Sequence, residues 1–267
     1  MVKKIGDYLI KDGDRAKIIL SYVLDKNSTY ITTNFDQDLD IESVKQIDDI
    51  YQKLDQGQPL QYAIGRWDFF GRDFLVDPSV LIPRPETEIL VDLILKEDLE
   101  NKRILDIGTG SGAIAISLAL ESSAQVTASD ISIEALQTAK TNAKRLGAQV
   151  KFIESDLFEN IDDKFDIIVS NPPYISEEEY KTLDKDLFYE PKTALVGGEI
   201  GSEIYEKIVK QLRNYLNEGG QIYFEIGYDQ KEPVSKRLED FGFSQVECIK
   251  DYNGFDRIIR AKLENMV

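Results

Sequence analysis

A chain of 267 residues, 42% of them hydrophobic and 30% charged, is long enough to bury a full core and to form one large domain or two. Its net charge of −17 argues against a broad phosphate-binding surface and for a protein or small-molecule substrate, although acidity of this kind also serves plain solubility. There is no histidine and Cys248 is the single cysteine, which excludes imidazole catalysis, histidine-ligated metals, intramolecular disulfides and thiolate clusters.

At the N-terminus, Lys3 and Lys4 are not followed by an apolar run, and the most apolar stretch, Ile104 to Leu120, is interrupted by Asp106 and several glycines. Neither secretion nor membrane insertion is expected, so a cytoplasmic location is the default. Asp14 to Leu24 sets Ile18, Ile19, Tyr22 and Val23 at helical spacing, and Ile41 to Leu54 does the same with Val44, Ile47, Ile50, Tyr51 and Leu54. Residues 1–65 therefore read as a small helical domain. Asp68-Phe69-Phe70 and Asp73-Phe74-Leu75-Val76 flank Gly71-Arg72, a candidate two-residue turn, and residues 66–85 read as a hairpin linker to a third segment, residues 86–267. In Leu81-Ile82-Pro83-Arg84-Pro85 the prolines forbid a helix until Pro85, which suits the first turn of one running to Leu95.

From Arg103 onward strands and helices alternate. The expected strands are Ile104 to Ile107, Gln125 to Ser129, Val150 to Ile153, Phe165 to Ser170, Gln221 to Ile226, Phe243 to Ile249 and Arg257 to Ala261; the expected helices are Ala113 to Leu120, Ile133 to Leu146, Ser202 to Leu216 and Pro233 to Asp240. This is the pattern of a largely parallel sheet with helices on both faces. The last two strands, joined through Asp251-Tyr252-Asn253-Gly254, form an antiparallel pair.

The first strand of this region runs into Asp106-Ile107-Gly108-Thr109-Gly110-Ser111-Gly112 and then a helix. Glycines there let the backbone turn tightly and approach a ligand at a helix N-terminus, although such loops also serve only to pack a helix on a strand. Asp130 ends the next strand, where a carboxylate can accept hydrogen bonds from ribose hydroxyls or cap the helix after Ser132. A nicotinamide dehydrogenase would instead carry Gly-x-Gly-x-x-Gly, whereas here the glycines fall at every second position. The strand Phe165 to Ser170 ends in Asn171-Pro172-Pro173-Tyr174. Two prolines remove two backbone donors and hold the chain extended, which leaves the Asn171 side chain and the Pro172 carbonyl as acceptors for the two hydrogens of a planar NH2 group. Tyr174 adds a flat face, or a core aromatic. Glu177-Glu178-Glu179 reads as a solvated face, and no metal is expected.

The glycine loop resembles the S-adenosylmethionine loop of class I methyltransferases, and Asn-Pro-Pro-Tyr resembles the motif of those that modify exocyclic or amide nitrogens, adenine-N6 and glutamine-N5 enzymes alike. Gln61-Tyr62-Ala63-Ile64-Gly65, Trp67-Asp68-Phe69-Phe70-Gly71, Leu81 to Glu88, Glu190-Pro191, Ala194-Leu195 and Glu225-Ile226-Gly227, in this order and spacing, closely resemble the HemK/PrmC family of release-factor glutamine methyltransferases. The resemblance spans the hairpin to the C-terminus. It implies an α/β Rossmann-like class I fold, mostly parallel with a C-terminal antiparallel hairpin, preceded by a helical domain that helps recognise the substrate.

The implied reaction is methyl transfer from S-adenosylmethionine to N5 of the glutamine in the Gly-Gly-Gln motif of class 1 peptide chain release factors, leaving S-adenosylhomocysteine. No direct nucleic-acid or membrane partner is implied. The implied cofactor residues are Asp106 near the methionine end, the loop Gly108, Thr109, Gly110, Ser111 and Gly112, then Asp130, Asp156 facing the adenine amino group with Leu157 beside it, and Asn171. Asn171, Pro172, Pro173 and Tyr174 would hold the substrate amide, with Asn171, Pro172 and Tyr174 catalytic. Arg84, Glu86 and Thr87 would lie beside the pocket with no assigned role, and Arg84 could equally pair with a carboxylate. Ile200 and Ser202 depart from the usual family residues, an acid and a leucine. Other readings are a glutamine methyltransferase for a ribosomal protein, an adenine-N6 methyltransferase for RNA or DNA, and a non-catalytic S-adenosylmethionine-binding module.

Overall fold

The computed structural model describes residues 2–264. The chain divides into two compact units between Gly65 and Arg66. The first contains α1 (Ile5–Leu24), α2 (Ser28–Thr33), α3 (Ile41–Asp55) and α4 (Leu60–Ile64). Here α1 begins nine residues before the expected Asp14 because it is two helices joined across a kink at Gly13, whose φ of 50° a residue with a side chain rarely adopts. Asn27 and Asp40 cap α2 and α3 by accepting the Tyr30 and Ser43 N–H groups. Ile19, Leu20, Ile31, Ile47 and Ile50 form the buried core of this unit, with Tyr8 stacked on Tyr51.

The second unit opens on a hairpin of β1 (Arg66–Phe69) and β2 (Arg72–Leu75). Phe69 pairs with Arg72, so the two turn residues are Phe70 and Gly71 rather than the expected Gly71-Arg72. Both have positive φ, 52° and 67°, which is the type I′ twist that hairpins favour. Phe70 tolerates it because its N–H donates to Glu88 Oε1 at 2.8 Å. Phe69 and Phe74 are buried in the core of the second unit, so the hairpin is packed within that unit rather than standing apart as a linker.

Then follow α5 (Pro85–Ile94), β3 (Arg103–Ile107), α6 (Ala113–Glu121), β4 (Gln125–Asp130), α7 (Ile133–Leu146), β5 (Val150–Glu154) and β6 (Phe165–Ser170). An insertion contains β7 (Ile175–Ser176), α8 (Glu177–Tyr180), a 3-10 turn (Lys185–Tyr189), α9 (Lys192–Leu195) and β8 (Val196–Gly198). The chain continues with α10 (Glu203–Tyr215), β9 (Leu216–Glu225), α11 (Lys231–Asp240), β10 (Phe243–Lys250) and β11 (Asp256–Leu263).

The main sheet has the order β10-β11-β9-β6-β3-β4-β5. Its β5, β4, β3, β6 and β9 run parallel, while β11 and β10 are antiparallel, as the sequence pattern predicts. Both faces are covered. Along β6, Ile167 and Val169 enter one core and Ile168 the other; along β9, Tyr223 enters the first and Ile222 and Phe224 the second. Each such aromatic or aliphatic side chain contributes about 1.5–3 kcal/mol on burial. From β3 the chain winds outward through β4 and β5, then returns to place β6 on the other side of β3. The carboxyl ends of β3 and β6 therefore flank a switch point, where open α/β sheets leave a crevice.

Candidate active site

A cavity of about 530 Å³ opens at that switch point. On one side lies the loop after β3. The N–H groups of Gly108 and Thr109 both donate to the Ser129 carbonyl, at 2.9 and 3.0 Å, which ties the loop to the end of β4. Gly108 and Gly110 have φ of 71° and 55° and open space where a Cβ would stand, so the backbone itself forms the wall. Thr109 and Ser111 also line it. Gly112 does not: a Cβ there would stand 2.7 Å from Ile116 Cδ1 and 3.2 Å from Ala139 Cβ, so this glycine seats α6 against α7.

Asp130 lines the cavity and accepts the Gly110 N–H on Oδ2 at 2.8 Å and the Ser132 N–H on Oδ1 at 2.9 Å. Burial raises its carboxyl above the usual range while these backbone donors pull it down. Asp106 is fully buried behind the loop and does not reach the cavity wall. Thr109 Oγ1 donates to its Oδ2 at 2.7 Å, while Oδ1 is buried without a partner. Burial pushes this carboxyl up to about 7. Asp156 is exposed at the rim, followed by Leu157 with a φ of 50°; Ser155 Oγ donates to the Leu157 carbonyl at 3.0 Å and fixes that turn.

Opposite the glycine loop stand Asn171, Pro172 and Pro173, just past the end of β6. Ser170 Oγ donates to the Ile107 carbonyl at 2.7 Å, locking the ends of β6 and β3 together. Asn171 Nδ2 donates to Thr87 Oγ1 at 3.3 Å, and neither its Oδ1 nor the Pro172 carbonyl is engaged by a hydrogen bond among the described residues. Tyr174 departs from expectation. It packs against the core of the second unit and is not among the residues that line the cavity, and its carbonyl accepts from Gln230 Nε2 at 2.9 Å. Burial first, then the nearby Glu225 charge, push its phenol up to about 12.

A cavity with open glycine backbone, a carboxylate on the wall and a second, half-satisfied carboxylate behind it suits a ligand bearing hydroxyls and positive charge. The family description "Methyltransferase small domain" matches residues 85–200, and "PrmC N-terminal domain" matches residues 11–65. A release factor glutamine methyltransferase of Streptococcus pneumoniae is 45% identical, over 94% of this chain and 93% of its own. The chain belongs to the release factor glutamine methyltransferase family. A relative of the same description from Bacillus cereus is 41% identical over 95% of this chain and 94% of its own. Among solved structures, the ribosomal protein L11 methylase of Lactobacillus delbrueckii subsp. bulgaricus shares the fold at a TM-score of 0.54 and 26% identity, covering 71% of this chain and 84% of that one. As a class I methyltransferase, the chain uses S-adenosylmethionine as its cofactor.

One residue that shapes the site, Asn142, carries no sequence signal of its own. Asn142, fully buried in α7, accepts the Leu75 N–H and donates to the Leu75 and Ser111 carbonyls, so it joins the hairpin to the glycine loop. Arg84 does pair with a carboxylate: Glu190, buried in the insertion, accepts from Arg84 and from the Ile82 N–H. This pair holds the proline-rich segment, which lines the cavity, to the insertion. Thr87 donates at 2.7 Å to Glu225, whose only sequence signal is its place in a shared motif.

Around Ile200 and Ser202, Gly197 and Gly201 let the loop cross directly on the Pro173-Tyr174 backbone, since a Cβ would stand 2.2 Å from the Pro173 carbonyl oxygen and 2.4 Å from that of Tyr174. Ile200 is exposed, its N–H held by Glu203 Oε1, and Ser202 is buried with its carbonyl accepting from Arg237.

Proposed function

We propose that this chain methylates N5 of the glutamine in the Gly-Gly-Gln motif of class 1 peptide chain release factors, with Asn171 and the Pro172 carbonyl holding the amide that receives the methyl. The observation that carries the reading is the pair of free acceptors, Asn171 Oδ1 and the Pro172 carbonyl, placed past β6 across from the glycine loop. An amide nitrogen is a poor nucleophile because its lone pair is delocalised into the carbonyl. Two acceptors, one for each N–H, turn that lone pair toward the methyl and stabilise the positive charge that develops on nitrogen.

Bound S-adenosylmethionine supplies a methyl group on a positively charged sulfur. Of the residues that line the cavity, Asp130 would accept from the ribose hydroxyls, Gly108 and Gly110 would let the ligand pass closely, and Asp156 and Leu157 would border the base. Asp106 acts from behind the loop by holding Thr109. Pro173 keeps the acceptors extended and Tyr174 anchors them to the core. The helical unit recognises the release factor, and the reaction takes place in the cytoplasm. No helix of the described residues is long and apolar enough to cross a membrane.

Incubation of an unmethylated release factor with the protein and S-adenosylmethionine, followed by peptide mass spectrometry, should show one methyl on the Gly-Gly-Gln glutamine. Asn171→Ala should reduce single-turnover rate by about 10²-fold or more with cofactor affinity little changed. Cofactor binding without any modified release factor would redirect the reading to a ribosomal-protein glutamine, then to adenine.

A further inference from the structure

We propose that Thr87 and Glu225 are positioning residues, a hydrogen-bond chain whose direction decides which end of the Asn171 amide faces the cavity. The inference rests on the reading of Asn171 as an acceptor for the substrate amide. Glu225 ends β9 beside β6 and is buried, as is Thr87 in the first turn of α5. Thr87 Oγ1 lies 2.7 Å from Glu225 Oε2 and 3.3 Å from Asn171 Nδ2. A hydroxyl has one proton to give, and an ionised carboxylate can only accept. Thr87 therefore donates to Glu225 and can only accept from Asn171, which turns the NH2 end of Asn171 toward Thr87 and leaves Oδ1 for the cavity. A flipped amide would set Oδ1 against an oxygen lone pair.

The far end of the chain is itself fixed. Tyr205 Oη donates to the Glu225 backbone carbonyl at 2.8 Å, and Arg257 on β11, held by Asp251 at 3.2 Å, donates to the Ile226 carbonyl at 3.1 Å. The charged and titratable groups around Glu225 are Arg257, Arg84, Glu86, Tyr174 and Tyr205. Burial lifts the Glu225 carboxyl to about 7 against the pull of Thr87, Arg257 and Arg84. Once protonated, Glu225 can donate to Thr87, Thr87 then donates to Asn171, and the amide presents its NH2 to the cavity. The productive orientation thus belongs to ionised Glu225, and turnover rises with pH through about 7.

The test compares Thr87→Val, Thr87→Ser and Glu225→Gln with the unaltered protein in single-turnover methylation of an unmethylated release factor at saturating S-adenosylmethionine, alongside cofactor calorimetry and melting curves. Thr87→Val should lose roughly ten- to hundred-fold in rate with cofactor affinity retained, Thr87→Ser should recover most of that loss, and the acid limb near pH 7 should vanish in Glu225→Gln. Equal rates for Thr87→Val and the unaltered protein, or an unchanged acid limb in Glu225→Gln, would overturn the proposal. If the unaltered protein methylates no release factor, the functional reading fails on its own. The chain is then judged by hydrogen exchange of the Asn171 side-chain NH2: faster exchange in Thr87→Val supports it and equal exchange overturns it.

Discussion

Asp130 shows how one carboxylate can hold two turns of backbone and still face a cavity. Its two oxygens receive the N–H groups of Gly110 and Ser132, so it shapes the glycine loop and the start of α7 while still offering lone pairs to the cavity. Asp130→Asn replaces one acceptor with an NH2 group that faces a backbone donor. Losing a charged hydrogen bond costs about 1.5–3 kcal/mol, so S-adenosylmethionine affinity should drop about ten- to hundred-fold, with a smaller effect on rate at saturation. Because burial raises this carboxyl, affinity in the unaltered protein should weaken as pH falls and Asp130 takes up its proton. Calorimetry across pH checks both, and undiminished affinity in Asp130→Asn would refute the role. At this scale the sequence was readable where chemistry is local. Asn171, Asp130 and the glycines each announce themselves by type and by place after a strand. Which way Tyr174 and Asp106 face is not legible in the sequence because facing is a tertiary property: the ring packs on a core of the second unit, and the carboxylate sits behind the loop it stabilises.

Among the elements, the least legible segment is also the one that lies against the Pro173-Tyr174 backbone. The pieces between β6 and α10 are two to five residues long, too short for periodicity to show, and are held by partners far away in sequence such as Arg84 on Glu190. The hairpin turn was displaced by one residue for the same reason: the N–H of Phe70 is satisfied by Glu88, eighteen residues on. The long strands and helices of the second unit, by contrast, carry their own alternation and caps, and α7 falls at its expected bounds, Ile133–Leu146, between Ser132 and Gly147. The β7–β8 crossing makes its own prediction. In Gly197→Ala the new Cβ would meet backbone oxygens on both sides, at 2.2 Å from Pro173 and 2.5 Å from Gly201, so the chain itself must move. Displacement of the Pro172-Pro173 segment by about 1 Å should cost on the order of 10²-fold in methyl transfer. The glycine loop is untouched, so cofactor affinity should hold; parallel loss of both would show that the loop does not act through the motif.

For the molecule as a whole, each unit has its own hydrophobic core, and the cavity is lined by residues between Ser79 and Ile208, all of the second unit. A fragment of residues 66–267 should therefore bind S-adenosylmethionine within about two-fold of the full chain; a folded fragment that cannot bind would contradict this. The second unit also carries an unusual proton inventory. Burial raises Asp106 and Glu225 to about 7, so the folded state keeps protons on them that the unfolded chain has released by about pH 5. Between about pH 5 and 7 the native state thus binds more protons, and stability falls as pH rises, by about 1.4 kcal/mol per pH unit for each group fully protonated folded and ionised unfolded. Asp251 and Glu203 act in the opposite sense: burial works against the charged form, but backbone N–H groups, with Arg257 beside Asp251, outweigh it and lower both pKa values, so their contribution is present above the unfolded value and lost only as pH falls further into the acid range. Self-repulsion at a net charge of −17 adds to the loss at higher pH. Denaturant midpoints at fixed ionic strength should fall from pH 5.5 to 7 and then level, with a shallower slope in Glu225→Gln and Asp106→Asn. A midpoint that climbs over that interval would mean that both carboxylates are already ionised in the folded protein.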